Sequence, residues 1–366
     1  MFSKKPLVEN KILYLNLFPA VIFLFLLFQS HLYAGEYINY VNPVMYDITH
    51  SAVCTNKNIT ALSSLELNLP IPTKWPELAV GKIEIEGDNT FYVDNAEGPG
   101  RIVRAFWDAN LPEPNDSKTL KLSYRLAVKQ IRTRTSLLEK KTFPPYIINE
   151  NFEYYTKPEK MIESDDPRIV SIAENIKNSA NGPYEFALDA YYYVIDNITY
   201  EKPSSTWTAA ECLDKKKGEC VQFAALFVAI CRAGKIPARP VPGAWSYGND
   251  PWHCWAEFNL PGVGWIPVDS TVGQQGLYQR KYYFGNLDSS HIPLAKCYAM
   301  KLNASKGTKA SEFIQMGSWH YFYPYSAKGA TLTADFTFNT QRLPEPEPPN
   351  RPSNQQKPRL RRKYIN

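Results

Sequence analysis

The chain has 366 residues, of which 44% are hydrophobic, 14% aromatic and 21% charged; at roughly 150 residues per domain this suits about two domains with buried cores. That apolar fraction excludes a wholly disordered chain, and a single long apolar run is too little for a polytopic membrane protein. Of the formal charge of +5, residues 351–366 carry +6 and residues 1–34 carry +2, so the body between them carries −3, which argues against a nucleic-acid footprint on a folded face.

Residues 1–34 read as a signal peptide. Lys4, Lys5 and Lys11 precede an apolar run from Leu17 to Phe28, and Ala34–Gly35 offers a cleavage point. The apolar stretch extends back to Ile12, so an uncleaved membrane anchor is the alternative. Either way the expected location is exported, periplasmic or extracellular, where disulfides are permitted. The cysteines are Cys54, Cys212, Cys220, Cys231, Cys254 and Cys297; if one is a free nucleophile, the other five cannot all pair internally.

Residues 35–150 read as a β-rich domain. Leu65–Leu69, Ile83–Glu86 and Leu120–Leu126 alternate apolar and polar, with Pro- and Gly-rich turns between them, the pattern of an antiparallel sandwich. Helices begin near 165, where Asp166 can cap and Pro167 suits the first helical position. A second helix is expected over Tyr184 to Asp196, and Thr208 with Glu211 forms a capping-box pattern for a third. Gly218 to Gly234 reads as a loop opening a buried helix with Cys220 in its first turn. Trp252 to Phe258 and Trp265 to Asp269 alternate as two strands joined by the turn Gly262-Val263-Gly264, a predicted hairpin. Residues 151–310 thus form an α+β domain. Residues 311–342 read as C-terminal strands packed on the body, and 343–366 as a disordered, basic, Pro-rich tail.

Three residues on these elements carry the chemistry. Cys220 opens a helix, whose dipole favours a thiolate. His253 follows 33 residues later at the start of a strand, and Asp269 a further 16 residues on at the end of its partner. An imidazole in reach of a thiol can form an ion pair with it and later protonate a leaving group. A carboxylate on the neighbouring strand can hold that imidazole in one tautomer. The Cys220 backbone N–H is a free donor for an oxyanion. Each residue alone has a plainer reading. A cysteine in an apolar helix is usually core, as Cys231 is expected to be, and Asp269 before Ser270-Thr271 can cap a turn. It is the combined placement that favours catalysis. Zinc could use the same three residue types, but neither Cys-x-x-Cys nor His-Glu-x-x-His occurs, so no metal site is expected.

The run Gly218-Glu219-Cys220, Phe223-Ala224-x-Leu226-Phe227 and Cys231-Arg232-Ala233-Gly234-Lys235-Ile236-Pro237-Ala238-Arg239-Pro240-Val241-Pro242-Gly243 resembles the transglutaminase-like superfamily. His253-x-Trp255-x-Glu257 and Gly264-Trp265-x-x-x-Asp269-Ser270-Thr271 complete the resemblance, which is strong over about 208–272. It implies a papain-like α+β fold with Cys220 as nucleophile, His253 as general base and acid, and Asp269 as the orienting carboxylate, no cofactor being required. The upstream β-rich region is similar to the domain that precedes this fold in exported bacterial members. Two departures stand out: Val221-Gln222 follows the nucleophile where many members carry an acid, and Cys254 replaces a common alanine. Strand alternation turns Cys254 away from His253, which argues against a second nucleophile. Trp207 and Gln222 are candidates for a second oxyanion donor.

The resemblance implies thiol-dependent acyl transfer on peptide or glutamine-type amides through a thioester. Hydrolysis in the cell envelope is the preferred outcome. Transfer to an amine, as in a protein crosslinker, and a non-catalytic envelope scaffold are the alternatives. The expected partner is a peptide or protein substrate, with no nucleic acid; the tail residues Arg359 to Lys363 could add weak contact with an anionic envelope or membrane surface. Lys215-Lys216-Lys217 is read as a solvated loop and Tyr191-Tyr192-Tyr193 as core packing.

Overall fold

The computed structural model describes residues 35–344 except 60–61, 63, 88–89, 95–99, 108, 203–206, 249, 302–312, 316–319 and 323–331. The expected signal peptide over 1–34 and the tail beyond 344 lie outside the described residues. Among the described residues, no helix is long and apolar enough to cross a membrane.

The architecture is α+β. Its first half is built from β1 (Ile38–Asn56), β2 (Leu65–Ile71), β3 (Leu78–Glu86), β4 (Thr90–Asp94), β5 (Arg101–Trp107) and β6 (Ser117–Thr133). Alternation does the expected work. Tyr46, Ile48, Ala52 and Cys54 of β1, and Leu120, Leu122, Tyr124 and Leu126 of β6, point into one core with Leu65, Leu67, Leu69 and Ile71 of β2. The face of β2 opposite those leucines carries Glu66 and Asn68, both buried and both bonded to the buried Arg104 of β5.

Among the helices that follow, those that frame the site are α1 (Pro167–Ser179), α2 (Pro183–Asn197), α3 (Ala209–Lys215) and α4 (Cys220–Ala233). Their starts obey local chemistry. The Asp166 side chain accepts from Arg168 N–H ahead of Pro167, and Thr208 with Glu211 closes a complete capping box. Helix α4 is buried continuously from Gln222 to Arg232. It packs on α1, α2 and α3 on one side and on β7 (Ala238–Trp245) and β8 (Trp252–Leu260) on the other. That explains why its sequence is apolar all round. Strand β9 (Gly264–Val268) pairs antiparallel with β8, from Ala256↔Val268 to Leu260↔Gly264, as the predicted hairpin. A short strand, β10 (His291–Pro293), joins the far edge of β7, giving the order β9-β8-β7-β10.

The chain then returns to its beginning. Strand β11 (His320–Phe322) pairs with β2, and β12 (Leu332–Arg342) pairs with β1 from Asn56↔Leu332 to Tyr46↔Arg342. These late strands complete two four-stranded antiparallel sheets, β12-β1-β6-β3 and β11-β2-β5-β4. The sandwich also touches the other half directly. Ala244, Ile292 and Leu294 share its core cluster, and Ile131 and Leu287 exchange backbone hydrogen bonds of 2.9 and 3.0 Å.

A buried charge cluster spans the same seam. Lys296 lies 2.6 Å from Glu77 and 2.7 Å from Glu257, and Arg239 lies 2.6 Å from Glu257. Glu257, a member of the quoted motif, is therefore part of the frame. Its two oxygens are taken by Arg239 and Lys296.

Candidate active site

Cys220 is the first residue of α4, with Glu219 as its N-cap. The local fold follows from the loop before it. Lys216 takes a left-handed conformation (φ 53°) to end α3, and Lys217–Gly218 pairs in parallel with Thr199–Tyr200. That pairing sets Tyr200 beside the cysteine. Gly218 is required here: a Cβ would lie 2.6 Å from the Gln222 Cβ and 3.1 Å from the Cys212 sulfur. None of the six cysteines is bonded to another, and Cys220 alone is not buried.

His253 lies at the start of β8, opposite Gly243 of β7. Its Nε2 donates to Asp269 Oδ2 at 2.7 Å. Cys220 and His253 line the same cleft, and with Nε2 taken by Asp269, Nδ1 is the ring nitrogen left to act on the thiol. Trp245 stacks on the imidazole with ring centres 4.1 Å apart and planes 19° apart, which excludes water from one face. Burial pushes the His253 pKa down, but the charge and hydrogen bond of Asp269, followed by those of Cys220, outweigh it and raise it to about 9.

Asp269 terminates the β9 hairpin and is fully buried. Both readings of this residue hold at once. Oδ1 caps the short helix Ser270–Gly273 by accepting from Val272 N–H at 3.0 Å, while Oδ2 accepts from His253. Burial alone would raise its pKa; the charge and hydrogen bond of His253, with those of His291, hold the carboxyl well below the usual carboxylate range. The structure thus brings together all three residues expected from the sequence.

It also adds one that the sequence did not single out. His291, on β10, donates its Nε2–H to the same Asp269 Oδ2 at 3.2 Å and its Nδ1–H to Asp288 Oδ1 at 3.0 Å. The only sequence signal was a histidine two residues after Ser289, and nothing local points it at Asp269. The ligand atoms of His253, Asp269 and His291 lie within 4.8 Å of one another and could hold a metal ion. The hydrogen bonds among them already satisfy those atoms.

The two candidate oxyanion donors are bonded to each other at the start of α4. The Gln222 amide donates one N–H to Trp207 O at 3.1 Å and accepts from Glu219 N–H at 3.1 Å, bracing the start of α4. Trp207 offers its carbonyl to that bond, and Lys215 sits 5.4 Å over its ring. The Cys220 N–H, in the first turn of α4, keeps the free donor that every helix start leaves. Cys254 is buried against the Tyr298 hydroxyl at 3.2 Å, and burial pushes its thiol far above the ordinary range. It is not positioned to act as a nucleophile. Lys217 is paired with Glu201 at 2.8 Å and is partly exposed.

A cleft opens above Cys220 and His253 in two lobes, one of about 440 Å³ and one of about 250 Å³. Tyr200, Asp250 and Trp252 border both. The larger lobe adds Trp245, Thr271, Gln274 and Gln275; the smaller adds Glu219, Leu294 and Tyr298. Lys202 pairs with Asp250 at 3.2 Å at the exposed rim. The arrangement presents a half-buried sulfur and a proton carrier, backed by a buried orienting carboxylate, to a two-lobed cleft.

A family model described as the transglutaminase-like superfamily matches residues 170–270, which include Cys220, His253 and Asp269. Over 271 residues the chain is 23% identical to an uncharacterized protein of Haemophilus influenzae, covering 61% of this chain and 72% of that one. It is 22% identical over 152 residues to the uncharacterized protein YebA of Bacillus subtilis, covering 34% of this chain and 21% of the relative. Among solved structures, that of a candidate cysteine protease from Cytophaga hutchinsonii is similar with a TM-score of 0.59 at 14% identity, covering 85% of this chain and 95% of that one. At that identity the likeness establishes a common fold.

Proposed function

We propose that this chain, whose residues 170–270 match the transglutaminase-like superfamily, is a cysteine hydrolase of peptide or glutamine-type amides acting in the cell envelope. One observation carries the reading. The imidazole that shares a cleft with the helix-start thiol of Cys220 is itself held at 2.7 Å by a buried carboxylate. His253 takes the Cys220 proton, and the thiolate attacks the amide carbon. The carbonyl oxygen becomes an oxyanion facing the Cys220 N–H. Collapse breaks the C–N bond, His253 returns the proton to the departing amine, and a thioester remains. His253 then removes a proton from water, which attacks the thioester carbon; the acid leaves and the thiol is restored. Asp269 stays ionised throughout and keeps Nδ1 pointed at the sulfur. The N-terminal charge and apolar run support an envelope location.

The test starts without a substrate. Alkylation of Cys220 by iodoacetamide is followed by peptide mass spectrometry in wild type and in His253→Ala. The expected result is a fall of roughly 10²-fold in the variant. Equal rates would remove the catalytic reading in favour of a scaffold. Glutamine and cell-wall-peptide amides, with and without an added amine, then separate hydrolysis from crosslinking. Release of acid regardless of amine supports the hydrolase; a product that carries the amine identifies the transferase.

A further inference from the structure

We propose that His291 is a positioning residue for this reaction, fixing Asp269 through the same carboxylate oxygen that His253 uses; the proposal rests on the cysteine-hydrolase reading above. The strand order creates the arrangement. Strand β7 is flanked by β8 and β10, with His253 opposite Gly243 on one side and His291 opposite Trp245 on the other. Two histidines from strands that never pair with each other therefore reach one carboxylate oxygen, at 2.7 and 3.2 Å.

The protonation of His291 follows from its partners. Both ring nitrogens face carboxylate oxygens, which only accept, so both must donate, and only the imidazolium does that. Burial pushes the His291 pKa down, but the hydrogen bonds to Asp269 and Asp288 outweigh it and raise it to about 9. The cation is itself anchored. Asp288 accepts from Ser290 N–H at 2.9 Å, from the Tyr283 hydroxyl at 2.8 Å and from the Ser290 hydroxyl. Trp255 meets the ring edge-on at 5.2 Å.

The catalytic cycle explains why a second cation is needed. His253 gives up its proton once in each half of the reaction. At that moment a fully buried Asp269 would face a neutral ring, and an uncompensated buried carboxylate would be driven to take up a proton or turn away. His291, charged throughout and held by carboxylates at both ring nitrogens, keeps Asp269 ionised and its Oδ2 in place.

The test uses the full chain and the iodoacetamide rate of Cys220. His291→Leu, which removes both donors, is made in wild type and in Asp269→Ala. The expected result is a fall of roughly tenfold in wild type and almost none in the Asp269→Ala background, because the effect travels through Asp269. Equal falls in both backgrounds would assign His291 a general structural role and overturn the proposal, as would no fall in either. Should His291→Leu fail to fold, the pair His291→Gln and His291→Asn decides. Gln keeps a donor near the Nε2 position toward Asp269, while Asn keeps one toward Asp288 only. The Gln variant should react faster; equal rates or the reverse order would overturn the proposal. If Asp269→Ala and His253→Ala both leave Cys220 reactivity at the wild-type level, it is the cysteine-hydrolase reading that fails, and this inference falls with it.

Discussion

Exchange of Asp269 for asparagine is the sharpest perturbation available, because it changes almost no volume. The amide oxygen must stay on Val272 N–H, now bonded at 3.0 Å, since turning the amide would set two donors face to face. The amide NH2 then lands where Oδ2 stood, opposite His253 Nε2 and His291 Nε2, now 2.7 and 3.2 Å away. Donor would meet donor at both contacts. His253 can relieve this only by shifting its proton to Nδ1, the nitrogen that faces Cys220. A ring in that tautomer cannot take the thiol proton, and in serine triads the same exchange costs about 10⁴-fold. We expect the iodoacetamide rate of Cys220 to fall by roughly 10²–10⁴-fold in Asp269→Asn, with stability lowered by about 1–3 kcal/mol. Nitrogen-15 NMR of the imidazole reports the tautomer directly. A rate within about tenfold of wild type, or a ring that keeps its proton on Nε2, would refute this account.

Two other variants probe the frame. Glu257→Gln leaves Arg239 without its buried carboxylate while Lys296 keeps Glu77, so denaturant unfolding should show a loss of about 3–5 kcal/mol; less than about 1 kcal/mol would contradict the assigned role. Burial raises the Glu257 pKa, but Lys296 and Arg239 outweigh burial and lower it, so its contribution is present above the unfolded carboxyl value near 4.3 and is lost as pH falls through the folded value. The acid limb of the stability profile should therefore be shallower in Glu257→Gln. Gly243→Ala would set a Cβ 2.3 Å from the Ile292 carbonyl and 2.8 Å from the Trp255 ring, forcing β10 away from β7. A stability loss of about 2 kcal/mol or more, with slower Cys220 alkylation, is expected from calorimetry and mass spectrometry; an unchanged melting temperature would mean that the strands separate freely.

Local and short-range features were legible in the residues. The caps at Asp166 and Thr208 mark their helices correctly because an N-cap is satisfied within three residues. Cys220, His253 and Asp269 were readable because a helix start and a two-strand hairpin each fix where a side chain stands, and pattern alone reveals both. Gln222 shows where such reading stops. Its proximity to Cys220 suggested a donor, but its amide also braces the helix start, donating one N–H to Trp207 and accepting from Glu219. A residue's spare hydrogen-bonding capacity depends on partners that periodicity does not display.

The sequence by itself determined the α+β class, the helix starts, the hairpin and the three residues of the candidate site, since each follows from propensity, capping or alternation over fewer than about twenty residues. The tertiary structure alone decided that β12 closes the sheet begun by β1, that Glu257 belongs to a buried ion cluster and that His291 shares the oxygen of Asp269 with His253. These depend on pairings between distant segments. Strand alternation states which face a residue takes but not which strand lies beside it, and that neighbour is settled only when the sheets and α4 pack together.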